Sequence, residues 1–149
     1  MQRLFITLLS CLLLAACSSE PSSPEQQVRQ TLSAMETAAQ ERSMSNFMRY
    51  IADNDSDQEG NNKDALRRSL QILFLRNQNI NIFTLVRSID VKNGLAKVEI
   101  STAMASREVD LSQESNRLKA DTQRFTLTLS QIHDNELWLV QSATWQQGW

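Results

Sequence analysis

Hydrophobic residues in the first half of the chain recur at helical spacing and predict three helices. The apolar positions of the first helix fall on one face, at intervals of four, three and four residues: Val28, Leu32, Met35 and Ala39. Ser23, with Pro24 after it and Gln26 three residues on, is typical of a capped helix start. A short second helix is expected to begin near Ser45 and to include Ile51, and a third is expected over residues 62–77.

The second half of the chain changes to the alternating pattern of β-strands. The pattern covers four segments, residues 80–91, 95–106, 124–130 and 137–146. Asn93-Gly94 and Asp134-Asn135 stand between consecutive segments and predict two hairpin turns. Residues 53–62 are polar throughout and have no strand pattern. The chain is therefore expected to be α+β, with N-terminal helices packed on a curved antiparallel sheet of about four strands.

This order of elements resembles the nuclear-transport-factor-2-like fold, which is also called cystatin-like. The resemblance rests on the helix from Pro24, on a third helix that runs directly into a strand, and on a closing hairpin with Trp138 and Trp145. It covers residues 24–146 and implies a cone with a cavity between helices and sheet. Members often have a short strand between the second and third helices, which is not expected here. Catalytic members carry Tyr, Asp or His inside the cone, and pairing through the sheet is common.

An apolar run near the start of the chain ends in Leu14-Ala15-Ala16-Cys17. Arg3 precedes an eleven-residue apolar stretch, which is too short for a membrane-spanning helix of roughly 20 residues. The pattern resembles the leader of a bacterial lipoprotein. That resemblance implies a signal peptide over residues 1–16, lipidation of Cys17 and a membrane anchor. Ser18, rather than Asp, after the cysteine implies the outer membrane, facing the periplasm.

The residues after Cys17 are predicted to form a short tether that leads to a single domain. The lipidated cysteine and tether are expected over residues 17–23. The six residues 18–23 are polar, contain a proline and reach at most ~20 Å when they are extended. Residues 24–149 are then expected to form one domain around one core. Cys11 leaves with the leader and Cys17 is acylated, so no thiol remains for a disulfide.

Charge and composition argue against several classes of partner and cofactor. Without Arg3, the mature chain has 14 basic and 17 acidic residues, a formal charge of 14 − 17 = −3. The basic residues are scattered in the sequence, which argues against a nucleic-acid partner. One histidine and no free cysteine cannot supply the usual zinc ligands, and three glycines leave little room for a phosphate-binding loop. We therefore expect no cofactor.

An acidic segment between the second and third predicted helices has part of the spacing of a calcium loop. Counted from Asp53, oxygen side chains fall at positions one, three, five and twelve, and the four calcium candidates are Asp53, Asp55, Asp57 and Asp64. Gln58 stands where such loops need glycine. The alternative is a solvated loop whose negative charge favours the start of the next helix.

Few other side chains are candidates for catalysis or binding. Tyr50 and Asp53 are three residues apart and are the best acid–base candidates, although the pattern favours a core or rim tyrosine with its hydroxyl toward solvent and Asp53 near a helix end. His133 adjoins a predicted turn and is expected at the surface. Trp149 and the long connection at residues 107–122 are further places for a binding surface.

Three functions fit these patterns. The first is a non-catalytic envelope lipoprotein whose domain binds a partner protein or forms a homodimer through its sheet. The second is the binding of a small apolar ligand in the cavity between helices and sheet. The third is an isomerase- or dehydratase-like enzyme that uses Tyr50 and Asp53.

Overall fold

A computed structural model describes residues 22–77, 79–106, 119–132 and 137–147 of the chain. Within them the helices are α1 (Pro24–Gln40), α2 (Met44–Met48) and α3 (Lys63–Arg76). The strands are β1 (Ile51–Asp57), β2 (Ile80–Lys92), β3 (Leu95–Ser106), β4 (Lys119–Ile132) and β5 (Leu137–Gln147). The strands form one sheet in the order β1-β5-β4-β3-β2. Cys17 with the predicted leader, His133, Trp149 and residues 107–118 lie outside the described residues.

Local hydrogen bonds fix the start of both long helices. The Ser23 hydroxyl accepts the backbone N–H of Gln26 at 3.3 Å, and the Gln26 side chain accepts the N–H of Ser23 at 3.0 Å. This reciprocal pair is the predicted capping box. Asn62 caps α3 by accepting the N–H of Ala65 at 3.1 Å. The second helix ends at Met48, so the expectation that it includes Ile51 is wrong.

The predicted hairpin between β2 and β3 is confirmed. Asn93 and Gly94 both have positive φ angles, 51° and 74°, which suit the twist of a two-residue hairpin turn. Lys92 pairs with Leu95 on either side of this turn.

The sheet has five strands rather than about four, and it is mixed rather than wholly antiparallel. β1 pairs parallel with β5, with Ile51 opposite Val140 and Ser56 opposite Ser142. The expectation that no strand lies between α2 and α3 is therefore wrong. β1 is an edge strand that pairs on one side only, and it does not need the alternating apolar pattern of a strand that covers a core.

The helices cover one face of the sheet, which we call the inner face. Its core holds the fully buried Trp138, Leu129, Val98 and Val28, so this part of the inner face is filled by side chains. Gln27 of α1 accepts the ring N–H of Trp138 and the side-chain amide of Gln131, each at 3.1 Å. These bonds place the start of α1 beside the end of β4 and the start of β5. No helix in the described part of the chain is long and apolar enough to cross a membrane.

Helix α3 runs from β1 towards the start of β2. At its first residue the Lys63 ammonium donates to the Ile51 carbonyl at 2.6 Å. Near its end the Phe74 carbonyl accepts from the guanidinium of Arg42, just after α1, at 3.4 Å. Only residues 77–79 separate α3 from β2. The helix therefore crosses between the two edge strands of the sheet.

Candidate functional site

The clearest polar anomaly among the described residues is a buried carboxyl group on β1. Asp55 is only 7% exposed, and its Oδ1 atom has no hydrogen-bond partner in the part of the chain that the structure describes. Buried carboxylates normally accept several hydrogen bonds, because an unpaired charge away from water is costly. Asp55 therefore stands out from the acidic residues around it.

Its surroundings change the acidity of this group. Burial, and next the negative charge of Asp57, raise the pKa of Asp55 from 3.8 to about 6. The Lys63 ammonium and a backbone hydrogen bond at Ser56 act in the opposite direction but are weaker. A carboxyl with a pKa near 6 can both accept and release a proton close to neutral pH, which is the property that acid–base chemistry needs.

Asp57, two residues after Asp55, accepts several hydrogen bonds. One of its oxygens accepts the backbone N–H groups of Glu59 and Asn61, each at 2.8 Å, and the other accepts the Asn61 side-chain amide at 2.8 Å. Burial opposes ionisation, but these bonds and one from the Gly60 backbone hold the pKa of Asp57 below its usual value. Gly60 has a φ of 79°, which suits the tight turn that Asp57 closes.

The four calcium candidates have different surroundings. Asp53 pairs with Lys63 at 2.9 Å, Asp55 is buried, and Asp57 is committed to its own turn. Asp64 lies in the first turn of α3. Within residues 22–77, 79–106, 119–132 and 137–147, no three or more metal-binding side chains form a group that could hold an ion.

The Tyr50 and Asp53 side chains do not share an enclosed site. The Asp53 side chain is fully exposed and forms its ion pair with Lys63. Tyr50 is half-buried, with the Arg49 guanidinium 5.5 Å from the centre of its ring. An acid–base pair needs two groups that converge on substrate away from bulk water, so Asp55 fits that role better than Asp53.

The end of β1 leads to an aromatic pair on β4 and β5. Gln58 donates its backbone N–H to the Ala143 carbonyl at 3.1 Å and accepts the N–H of Trp145 at 2.9 Å with its side chain. The rings of Trp145 and Phe125 lie 6.5 Å apart at 45°. The two aromatic residues stand opposite each other in the sheet, and Phe125 packs against the core. Asp55 therefore lies on the strand that borders the aromatic end of the inner face.

A second candidate site lies on the outer face of the sheet, which the helices leave uncovered. Phe83 and Leu85 of β2 are 69% and 52% exposed. Val86, their neighbour in the strand, packs against the core, so Leu85 and Phe83 point to the other side. Two large apolar side chains, two residues apart on one strand, form a continuous exposed surface that we call the outer patch.

Small and basic residues surround the outer patch. Phe83 stands opposite Ala103, and Leu85 stands opposite Ser101. Ser101 is buried, and its hydroxyl accepts a hydrogen bond from the Arg87 guanidinium at 3.1 Å. Arg124 is the partner of Ser101 on the other side, in β4. An apolar centre with arginines beside it is the usual composition of a protein interface.

From the sequence, Asp55 is predicted only as a calcium candidate, and contact through the sheet is predicted without Phe83 and Leu85 being named. Only one of these two sites left a signal in the sequence. In residues 80–86 the inward positions are apolar or Thr, and the outward Phe83 and Leu85 are apolar too. A strand that is apolar on both faces is expected to be covered on both faces. The burial of Asp55 left no such signal, because it depends on the packing of β1 beside α3.

Searches of family models and of curated proteins found no match for this chain. Solved structures do resemble it. A proposed dehydratase of the nuclear-transport-factor-2-like family from Streptomyces avermitilis has a TM-score of 0.71 at 17% identity, over 87% of this chain and 99% of that one. A ketosteroid isomerase-like protein from Erwinia carotovora atroseptica has a TM-score of 0.63 at 10% identity, over 82% of this chain and 94% of that one.

The Bd1075 protein of Bdellovibrio bacteriovorus has a TM-score of 0.68 at 12% identity over 83% of this chain. The matched region is 40% of the Bd1075 chain, so our chain corresponds to less than half of that protein. Together these likenesses show that the chain has the nuclear-transport-factor-2-like, or cystatin-like, fold. At such low identity they show the fold alone.

Proposed function

We propose that this chain is an envelope lipoprotein, anchored through Cys17, whose domain is a non-catalytic interaction module. Its interaction surface is the outer face of the sheet, and its partner is another envelope protein or a second copy of the chain. The observation that carries this proposal is the exposure of Phe83 and Leu85, at 69% and 52%, on a face that the helices leave uncovered.

The chemistry of the outer patch supports this role. Burying two large apolar side chains in an interface is favourable by roughly 1.5–3 kcal/mol each. Arg87 and Arg124 can place their charges at the rim while their aliphatic stems cover apolar surface. Hot spots of binding are enriched in aromatic residues and arginine, so Phe83 is the expected centre.

The chain offers a matched control for testing the outer patch. Leu95 is 51% exposed, almost the same as Leu85, and lies on the same outer face at the far end of β3. We expect Leu85→Ser and Phe83→Ser to abolish dimers in light scattering, or partner recovery by crosslinking in intact cells. Leu95→Ser is expected to leave both unchanged. Circular dichroism and thermal melting confirm that each variant is folded.

The two kinds of partner give different results. A second copy gives a dimer whose fraction rises with the concentration of the purified protein. Another envelope protein gives a monomer in isolation and a crosslinked heterocomplex in cells. A monomer that forms no crosslinked product, or association that survives both substitutions in the outer patch, would contradict the proposal.

A second candidate function rests on Asp55. Its buried carboxyl has no hydrogen-bond partner at Oδ1 among the described residues and a pKa of about 6, which suits proton transfer in an isomerase- or dehydratase-like reaction. In that role Asp55 accepts a proton from the carbon beside a substrate carbonyl and returns it to the substrate at a second position. The proposed dehydratase and the ketosteroid isomerase-like protein among the structural neighbours support this class of reaction.

Proton exchange tests this candidate without knowledge of the natural substrate. A panel of cyclic and linear ketones is incubated with the protein in D₂O, and deuterium beside the carbonyl is followed by NMR. Catalysed incorporation that Asp55→Asn removes and Asp53→Asn retains would support the enzyme. Native mass spectrometry of protein purified from its own membrane tests the remaining prediction, a small apolar ligand between helices and sheet.

A further inference from the structure

We propose that the outward face of α3 is a contact surface for anionic phospholipid. None of the fourteen residues of this helix is buried, whereas α1 buries five of its seventeen. Leu66 and Leu70 face inward and pack against the core. On the opposite side Ile72 is 51% exposed and Leu75 is 78% exposed, the largest exposure among the large hydrophobic residues that the structure describes.

The exposed apolar residues of α3 are accompanied by arginines. Arg68, Ile72 and Leu75 follow at intervals of four and three residues, and this spacing places them on one side of the helix. Arg76 follows Leu75 in the last turn, and Arg67 lies at the margin of the same exposed side. An apolar centre flanked by arginines is the pattern of a helix that lies at a lipid–water interface.

The charge of α3 differs in sign from that of the whole chain. The helix has four basic residues and one acidic residue, 4 − 1 = +3, whereas the full chain has a net charge of −2. The Lys63 ammonium donates to the Ile51 carbonyl and the Asp53 carboxylate. The basic residues of α3 that can bind a phosphate are therefore its arginines. Guanidinium groups bind phosphate in a bidentate manner, and their aliphatic stems reach across an apolar boundary. The charge therefore complements anionic lipid headgroups.

The position of the tether favours a lipid surface over other occupants. This step rests on the lipid anchor of the proposed function. Gln27 donates its side-chain amide to the Ser22 carbonyl at 3.1 Å, which fixes where the tether leaves the helix layer. The six residues from Ser18 to Ser23 reach at most ~20 Å. The tether therefore holds the start of α1, in the helix layer of the domain, within ~20 Å of the bilayer.

The geometry of the helix layer lets it lie flat on the membrane. α1 has seventeen residues and is about 25 Å long, with the tether at its start. At its other end Arg42 contacts the Phe74 carbonyl in the last part of α3. The tether and the exposed end of α3 therefore lie along the same layer. When α3 rests on lipid, the outer face of the sheet points away from the bilayer.

A fluorescent probe on α3 tests this contact in the lipidated full-length product. The protein is purified from its own membrane and reconstituted in vesicles of phosphatidylcholine, with or without phosphatidylglycerol. A Gln71→Cys substitution places an NBD label on the exposed side of α3 and leaves Ile72 and Leu75 in place. A label at Glu99→Cys, on the exposed outer face of the sheet, is the control. Brominated lipids report how close each label lies to the acyl chains.

We expect quenching and a blue shift at position 71 in vesicles that contain phosphatidylglycerol, and neither at position 99. Loss of two charges, Arg68→Gln with Arg76→Gln, is expected to weaken docking roughly 30-fold, at about 1 kcal/mol for each arginine near an anionic surface. Arg124→Gln, which removes an arginine from the outer face of the sheet and not from α3, is expected to leave the quenching at position 71 unchanged.

Three results would overturn the membrane contact. One is equal quenching at positions 71 and 99. Another is quenching at position 71 that persists in the double arginine variant. The third is a blue shift without quenching that grows with protein concentration, because it would show that a second copy or another protein covers α3. A lipidated chain takes one label, whereas a chain with free Cys11 or Cys17 takes more, so mass spectrometry separates failure of the anchor from failure of the contact.

Discussion

Replacing Asp55 by Asn is expected to stabilise the domain at pH 8. The carboxyl binds its proton more tightly in the folded chain, where its pKa is about 6, than at its ordinary value of 3.8. Ionisation of Asp55 therefore opposes folding. Its contribution to the free energy of unfolding falls as pH rises from 3.8 to about 6 and is constant above that range.

The size of the effect follows from the two pKa values. At about 1.4 kcal/mol for each pKa unit, the difference between 3.8 and about 6 corresponds to about 3 kcal/mol. The Asn amide introduces a new donor that needs a partner, and this offsets about 1 kcal/mol or more. We therefore expect Asp55→Asn to raise the free energy of unfolding at pH 8 by about 1–2 kcal/mol. At pH 4, where the wild-type carboxyl is largely protonated, the gain is expected to disappear.

The assay is urea unfolding of wild type and variant at intervals from pH 4 to pH 8, followed by circular dichroism. Asp90→Asn is the matched control, because Asp90 forms an exposed ion pair with Lys92 that is worth little. Two results would contradict this prediction. One is a lower free energy of unfolding for Asp55→Asn than for wild type at pH 8. The other is a difference between the two free energies that does not change between pH 4 and pH 8. Either result would mean that the carboxylate is well solvated or paired in the folded chain.

Three further predictions concern the charge beside Asp55, the start of α1 and the anchor. Lys63→Met removes a charge that lowers the pKa of Asp55, so the titration of this carboxyl, followed by carbon NMR, is expected to move to higher pH; a move to lower pH contradicts the assignment. Gln27→Leu leaves the buried ring N–H of Trp138 without its acceptor and is expected to cost about 1–3 kcal/mol in urea unfolding; no loss would mean that the bond contributes nothing. Cys17→Ser is expected to abolish labelling with radioactive palmitate in growing cells, while unlabelled wild-type protein would rule out the anchor.

The sequence predicted those parts of the fold that local chemistry determines. The capping box at Ser23 and the hairpin turn at Asn93-Gly94 depend on a few adjacent residues, and both are confirmed. The third helix was expected over residues 62–77, and α3 occupies Lys63–Arg76 with Asn62 as its cap. In each case the residues that stop or start the element are next to it in the chain.

β1 shows where prediction from the local sequence pattern fails. Its residues are Ile-Ala-Asp-Asn-Asp-Ser-Asp, which no strand propensity favours. The strand forms because the backbone of β5 offers hydrogen bonds to it, as in the bond from the Val140 N–H to the Tyr50 carbonyl at 2.8 Å. Such pairing joins residues about 90 positions apart and leaves no periodic pattern in β1. The burial of Asp55 was not predicted for the same reason, since it exists only once β1 is in the sheet.

The two proposed surfaces lie on opposite sides of a two-layer domain, and this constrains how they can act together. Two copies that pack their outer patches face to face point their α3 helices in opposite directions. One flat bilayer can then contact α3 of only one copy. A copy that lies on the membrane through Arg68, Ile72 and Leu75 instead presents Phe83 and Leu85 away from it, towards the interior of the compartment. Membrane contact therefore favours another envelope protein over a second copy as the partner of the outer patch.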